Sequence, residues 1–235
     1  MLKVSRQPSG EPEIFHSIQG EGVNAGTPAV FLRLALCNLA CTWCDTKYTW
    51  DWDSYDIKGE VVSLSEEEVE RRILSFDRPH LVITGGEPLL QQEELAPLAT
   101  SLHRRGFYCE VETNGTLPPS PEMVEGVSQW NVSPKTTSSG NRRDRREVPQ
   151  ALNAFRELDN AYFKFVIVGP EDIEEVSLLA DTYRIPPHRV LLMPEGVTAQ
   201  VLQERGRWVA EACRERGFRF STRLHILLWG DRRGR

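Results

Sequence analysis

Three cysteines within eight residues, Cys37-Asn38-Leu39-Ala40-Cys41-Thr42-Trp43-Cys44, constrain this chain more than any other feature. The spacing CxxxCxxC places three thiols on one tight loop, where each can hold one iron of a cubane cluster. A four-iron cluster ordinarily takes four cysteines. Three leave one iron without a protein ligand, and an open metal position belongs to catalytic rather than structural sites. Cys109 and Cys213 lie far from the loop and from each other in sequence; a fourth ligand from either is open, with nothing local to support it. A zinc finger or ribbon would need a second ligand pair at short spacing, and none follows. Cys41 and Cys44 alone form a CxxC of the thioredoxin kind, a reading that leaves Cys37 unexplained.

Around this loop the chain alternates. Apolar strand-like runs fall at 29–36, 81–84, 107–112, 130–133, 162–168, 190–193 and 218–221, and helical patterns separate most of them, at 65–76, 89–105, 149–158, 171–183 and 199–216. The first helix is announced by Ser65 and Glu68 in capping-box spacing, and two helices stop at Gly106 and Gly217. Strands alternating with helices predict parallel βαβ units. About six units point to an α/β fold with a partial (βα)6-like barrel rather than a complete eightfold one. The chain of 235 residues suits one sizeable core, a single domain over 1–235. Residues 1–27 are expected to form a cap or hairpin ahead of the first barrel strand, and 226–235 a basic tail.

Composition excludes several classes of function. The net charge of −6 argues against a nucleic-acid-binding protein. No apolar run reaches membrane-spanning length and the N-terminus has no signal-peptide core, so a cytoplasmic protein is expected, where thiols stay reduced. The basic run Arg142-Arg143-Asp144-Arg145-Arg146 reads as part of a mobile, solvated loop over 136–147 rather than an anion-binding lid.

The motifs fall at the predicted strand ends. After the cysteine loop comes Asp45-Thr46-Lys47-Tyr48-Thr49-Trp50; before it lie Ser17-Ile18-Gln19-Gly20-Glu21-Gly22 and Phe31-Leu32-Arg33-Leu34. Downstream are Thr84-Gly85-Gly86-Glu87-Pro88, Glu112-Thr113-Asn114-Gly115-Thr116 and Ser133-Pro134-Lys135. CxxxCxxC with Trp43 before the last cysteine resembles the radical S-adenosylmethionine enzymes, and the motifs together, over about 15–225, resemble the 7-carboxy-7-deazaguanine synthase family. That resemblance implies a lyase with a [4Fe-4S] cluster, S-adenosylmethionine and Mg²⁺, turning 6-carboxytetrahydropterin into 7-carboxy-7-deazaguanine for 7-deazapurine (queuosine-type) biosynthesis. It also implies a homodimer fed by a flavodoxin-like reductant.

Carried over residue by residue, the resemblance assigns Cys37, Cys41 and Cys44 to the cluster. Cofactor contacts go to Trp43, Asp45, Gly86, Glu87, Ser133, Pro134, Lys135, Met193, Pro194, Glu195 and Gly196. Trp43 can equally pack on the cluster. Where the family often has Gln this chain has Met193, which leaves a backbone contact only. Thr46 would bind Mg²⁺, a hard cation that prefers oxygen donors. Ile18, Gln19, Gly20, Arg33, Thr84 and His225 would hold the substrate. Arg33 offers a planar cation for its carboxylate, with a strand-end salt bridge as the other reading. Glu112 either holds the ribose or moves protons. Family members often end soon after the histidine; this chain continues Ile226-Leu227-Leu228-Trp229-Gly230 into Arg232-Arg233-Gly234-Arg235, so a terminal carboxylate contact is not expected. A glycyl-radical activase would lack the Gln19–Gly22 and Asp45-Thr46 runs, and an electron-transfer protein would want a fourth cysteine.

Overall fold

Ten strands form one sheet in the computed structural model, which describes residues 1–234. In chain order they are β1 (Leu2–Ser5), β2 (Ile14–Ile18), β3 (Pro28–Leu34), β4 (Val61–Leu64), β5 (His80–Gly85), β6 (Tyr108–Thr113), β7 (Gln129–Val132), β8 (Ala161–Ile167), β9 (Val190–Pro194) and β10 (Arg219–Phe220). From β3 through β5, β6, β7, β8 and β9 to β10 each neighbour is parallel. The first six of these are the partial barrel expected from the alternation. The helices are α1 (Ile57–Glu60), α2 (Glu66–Leu74), α3 (Gln92–Arg104), α4 (Pro121–Gly126), α5 (Arg143–Arg146), α6 (Pro149–Arg156), α7 (Pro170–Thr182), α8 (Ala199–Arg216) and α9 (Leu224–Trp229). Ser65 caps α2 by accepting from Glu68 N at 3.2 Å, as its sequence spacing predicts.

The N-terminal segment joins the sheet. β2 pairs antiparallel with β3, Phe15 opposite Phe31, so it forms its hairpin with the first barrel strand itself. β1 was not visible in the sequence: its four residues pair with β4 and, at Val4, with Leu34 of β3. Four residues are too few for a periodic signal.

Period-two alternation sorts each parallel strand into two faces. One face carries Leu81, Ile83, Cys109, Val111, Trp130, Val132, Phe163, Phe165 and Leu192, buried in the main core beneath the helices. The other carries Thr84, Glu112, Lys164, Val166 and Met193 into a cavity inside the sheet's curve. A small apolar cluster of Phe15, Ala29, Phe31 and Val82 lies on that inner side, its two phenyl rings stacked with centroids 5.2 Å apart. Polar residues punctuating otherwise apolar strands are therefore the ones that face the ligand space.

The basic run expected to be solvated is so at Arg142, Arg143, Asp144 and Arg145, which are exposed, but not at Arg146. In 136–147 a turn at Thr137–Ser139 leads into α5. Arg146 is buried and donates to Lys135 O at 2.8 Å, Glu175 Oε1 at 2.6 Å and Thr137 Oγ1 at 2.8 Å. Charge-assisted hydrogen bonds to three acceptors offset part of the cost of taking this guanidinium out of water, and charge density along the sequence does not reveal acceptors supplied by the fold. The basic tail likewise returns to the protein through Arg233.

Candidate active site

The cysteine loop leaves β3 through Leu36, a non-glycine residue at φ 75°. Such a conformation persists only where its surroundings hold it. Leu36 N donates to Thr49 O at 2.7 Å, and Leu36 O accepts from Glu87 N at 2.7 Å. Gly86 N reaches Leu34 O at 2.9 Å. A Cβ on Gly85 would overlap the backbone of Leu34, and one on Gly86 the carbonyl of Leu36. The paired glycines thus bring the loop after β5 against the root of the cysteine loop; only a hydrogen fits there.

Cys37, Cys41 and Cys44 line one wall of the cavity, and none is in a disulfide. Each sulfur meets a side-chain N–H donor. Asn141 Nδ2 donates to Cys41 Sγ at 3.2 Å, Trp50 Nε1 to Cys44 Sγ at 3.3 Å, and Asn114 Nδ2 points at Cys37 Sγ from 3.9 Å. Burial pushes the Cys37 thiol up to about 12 and raises Cys41 as well; metal ligation is what deprotonates such thiols. Among the described residues no three Cys, His, Asp or Glu converge on a single ion. A cubane asks for no such convergence, because each thiolate takes its own iron. Donors on all three sulfurs, one cavity wall and thiols spread along it fit a [4Fe-4S] cluster. Cys109 is fully buried on the helix side of β6 and Cys213 is buried on α8, so neither faces this wall.

The loop is braced from outside by 136–147: Thr42 N donates to Ser139 O at 3.0 Å and Ala40 N to Asn141 Oδ1 at 3.0 Å. Beside it Lys135 donates to Ser133 Oγ at 2.8 Å and lies 5.6 Å from the Trp43 ring centroid. Trp43 Nε1 is buried with no protein partner, which leaves a donor open on this wall.

Gly86, Ser133, Lys135, Met193 and Glu195 line the same cavity, together with Trp43, Asp45 and Thr46. Glu87, Pro134, Pro194 and Gly196 do not. Glu87 is fully buried and its carboxylate is engaged by the protein, accepting from Leu89 N at 3.0 Å, Thr113 Oγ1 at 2.7 Å and Asn114 N at 2.7 Å. It staples the loop after β5 to the loop after β6. Gly196 O accepts from Arg223 Nη1 at 2.8 Å.

The other wall carries Ile18, Gln19, Gly20, Arg33, Thr84, Glu112 and His225. Thr84 Oγ1 donates to Glu112 Oε2 at 2.8 Å. Gln19 is 2 % exposed, and its amide is committed within the protein: Nε2 donates to Glu110 at 2.6 Å and Glu112 at 3.3 Å, while Oε1 accepts from Glu21 N at 3.2 Å. It fixes Glu112 rather than presenting a free edge to a ligand. Arg33 donates through Nε to Glu13 Oε1 at 3.0 Å. Its terminal nitrogens have no protein hydrogen bond among the described residues, so the salt bridge of the second reading takes one edge of the guanidinium and leaves the other open to the cavity. The imidazole of His225 packs on Gly20, where a Cβ would overlap it. Burial lowers its pKa, so near neutrality the ring is uncharged.

Three residues that the sequence reading gave no role complete this wall. Lys164 on β8 is ion-paired with Glu21 and lies 3.8 Å from Glu112. Arg223 joins Glu21 at 3.1 Å to Asp45, tying the first loop, the cysteine loop and the C-terminal loop together. A lone lysine in the apolar run Tyr162-Phe163-Lys164-Phe165-Val166 was the available signal; nothing local distinguishes Arg223 from an exposed arginine such as Arg219.

The Radical SAM superfamily matches residues 34–177 of this chain, the stretch that carries the cysteine loop and most of the parallel strands. A 7-carboxy-7-deazaguanine synthase from Pyrobaculum aerophilum is 41% identical over 95% of this chain and 96% of its own. One from Halobacterium salinarum is 35% identical over 93% and 90%. The crystal structure of QueE from Escherichia coli superposes with a TM-score of 0.70 at 29% identity, covering 95% of this chain and 94% of that one. The chain belongs to the 7-carboxy-7-deazaguanine synthase family of the radical SAM superfamily, whose cofactors are a [4Fe-4S] cluster and S-adenosylmethionine.

Proposed function

We propose that this chain converts 6-carboxy-5,6,7,8-tetrahydropterin to 7-carboxy-7-deazaguanine with loss of ammonia. The observation that carries the reading is a single cavity with three donor-capped thiols on one wall and the free edge of Arg33 on the other, with Thr84, Glu112 and His225 alongside. Cluster and S-adenosylmethionine together supply one-electron chemistry that makes a hydrogen-abstracting radical. The residues of the chain bind, orient and move protons. Gly86, Ser133 and Lys135 would hold S-adenosylmethionine, with Trp43 Nε1 as a further donor. Arg33 pairs with the pterin carboxylate through its terminal nitrogens. Glu112, fixed by Thr84 and Gln19, accepts from the N–H edge of the pterin. Thr46 would supply an oxygen ligand to Mg²⁺, a hard cation that prefers oxygen donors. Ring contraction with release of ammonia is redox-neutral overall, so S-adenosylmethionine is reusable.

No helix among the described residues is long and apolar enough to cross a membrane; we place the enzyme in the cytoplasm, as a homodimer reduced by a flavodoxin-like protein. The test is an anaerobic assay of reconstituted, reduced protein with S-adenosylmethionine and Mg²⁺, with and without the pterin, read by mass spectrometry. Carboxydeazaguanine formed only with the pterin is the expected result. Deoxyadenosine without that product would keep the radical chemistry and reject the substrate.

A further inference from the structure

Glu13 is a fully buried carboxylate behind the cavity wall, and its two oxygens are divided. Oε1 accepts from Arg33 Nε at 3.0 Å and from Tyr48 Oη at 3.1 Å. Oε2 accepts from Arg233 Nε at 3.2 Å. Arg233 comes from the far end of the chain. Its guanidinium stacks on the Tyr48 ring, 3.4 Å from the centroid, and its Nη2 donates to Glu60 Oε2 at 2.9 Å. Its side chain keeps only 18% of its exposure. A guanidinium stacked on an aromatic face and shared by two carboxylates is well anchored.

We propose that Arg233 is a positioning residue for substrate recognition: by occupying Glu13 Oε2 it restricts Glu13 to a one-point grip on Arg33, leaving the terminal nitrogens of Arg33 to the carboxylate of the substrate. Arginine and carboxylate prefer a two-point pairing when both oxygens are available. Without Arg233, Oε2 would be buried and short of a donor, a costly state that closer pairing with Arg33 relieves. That pairing would turn toward Glu13 the edge now facing the cavity. The tail that departs from the family's usual ending thereby acts on the substrate site from behind, through Glu13.

The proposal rests on Arg33 as the carboxylate partner, so its test separates the two. Enzyme reconstituted with its cluster and loaded with S-adenosylmethionine and Mg²⁺ is titrated with 6-carboxypterin and with pterin lacking the carboxylate, both followed by their fluorescence. The ratio of the two dissociation constants isolates the carboxylate's contribution, because a loosened fold weakens both ligands alike. Arg233→Met should reduce the preference for 6-carboxypterin about tenfold, the scale of one lost charge-assisted hydrogen bond. Adding Glu13→Gln, which removes the competing charge, should restore most of it. Arg233→Lys, a milder change should the first variant fold poorly, keeps the charge without spanning both carboxylates and should give a smaller reduction. An unchanged ratio in Arg233→Met and Arg233→Lys, with Arg33→Met lowering it, overturns the proposal. A ratio unchanged in Arg33→Met as well removes Arg33 as carboxylate partner and the proposal with it.

Discussion

The two ends of the barrel interior are both polar and are built to opposite specifications. At the N-terminal ends of the parallel strands Glu110, fully buried, accepts from Gln19 Nε2 at 2.6 Å, Asn24 Nδ2 at 2.8 Å and Asn131 Nδ2, with His80 Nε2 at 3.0 Å. Gln129 accepts from Tyr108 Oη at 2.9 Å and donates to Asn131 Oδ1 at 3.0 Å. Every group in that network has a partner inside the protein. At the C-terminal ends the groups are charged and incompletely paired: Arg33 keeps its terminal nitrogens free, Trp43 Nε1 is an orphan, and His225 makes no side-chain hydrogen bond among the described residues. Closed valences specify a structure, and open ones specify a site. One orphan alone carries little, since Trp130 Nε1 is also unpaired in the core. What marks the upper end is convergence of several on one cavity.

The largest effect should come from the cysteines. Cys37→Ala, Cys41→Ala or Cys44→Ala should each abolish cluster absorbance and with it deoxyadenosine formation, because no other cysteine faces that wall. A variant that kept a catalytic cluster would break the assignment of three ligands. Lys164→Met should come next. It strips Glu21 of an ion pair at a site where both partners are nearly buried, and breaking such a pair costs about 3–5 kcal/mol. Chemical denaturation measures it. Burial alone would push the Glu21 carboxyl up, but Lys164 and Arg223 overcome this and hold it well below its ordinary 4.5. The folded state therefore binds that proton more weakly than the unfolded chain. The stabilisation is complete above pH 4.5 and is lost as the pH falls below it. In Lys164→Met this acid loss should be shallower.

The same contrast separates what is legible in the amino-acid sequence from what is not. The barrel strands and five long helices were legible because their apolar periodicity extends over many residues, and the cysteine loop because its spacing is local. The rest depended on contacts across the chain. Lys164 meets Glu21 from 143 positions away, and Arg233 reaches Glu13 from 220. Gln19 belongs to a motif and was placed near the cavity, but its orientation is set by Glu110 and Glu112, whose inward direction follows from the register of β6. Charge runs misled for the same reason: Arg146 looks solvated until Glu175 and the carbonyl of Lys135 are known to face it.

The donors on the cluster sulfurs sharpen the upper half of the comparison. Asn141→Ala and Trp50→Phe each remove one N–H from a ligating sulfur, and loss of such outer partners typically weakens metal binding about 10- to 100-fold. Because N–H donors favour the more negative, reduced cluster, its potential should also fall. An EPR-monitored redox titration reads the shift, and iron loss to a chelator reads the affinity. Potential and retention both unchanged would reduce these contacts to loop packing.

Glu110→Gln probes the lower half and should be the mildest. The amide keeps the shape but turns one acceptor into a donor facing Gln19, Asn24, Asn131 and His80, all of which can donate. One mismatched buried hydrogen bond costs about 1–3 kcal/mol, so thermal stability should drop while deoxyadenosine formation in the loaded enzyme changes little. The distinction between the ends depends on that separation. If Glu110→Gln instead left the melting temperature in place and slowed turnover, the lower network would be transmitting to Gln19 and Glu112 during the reaction, and its closed valences would belong to the site after all.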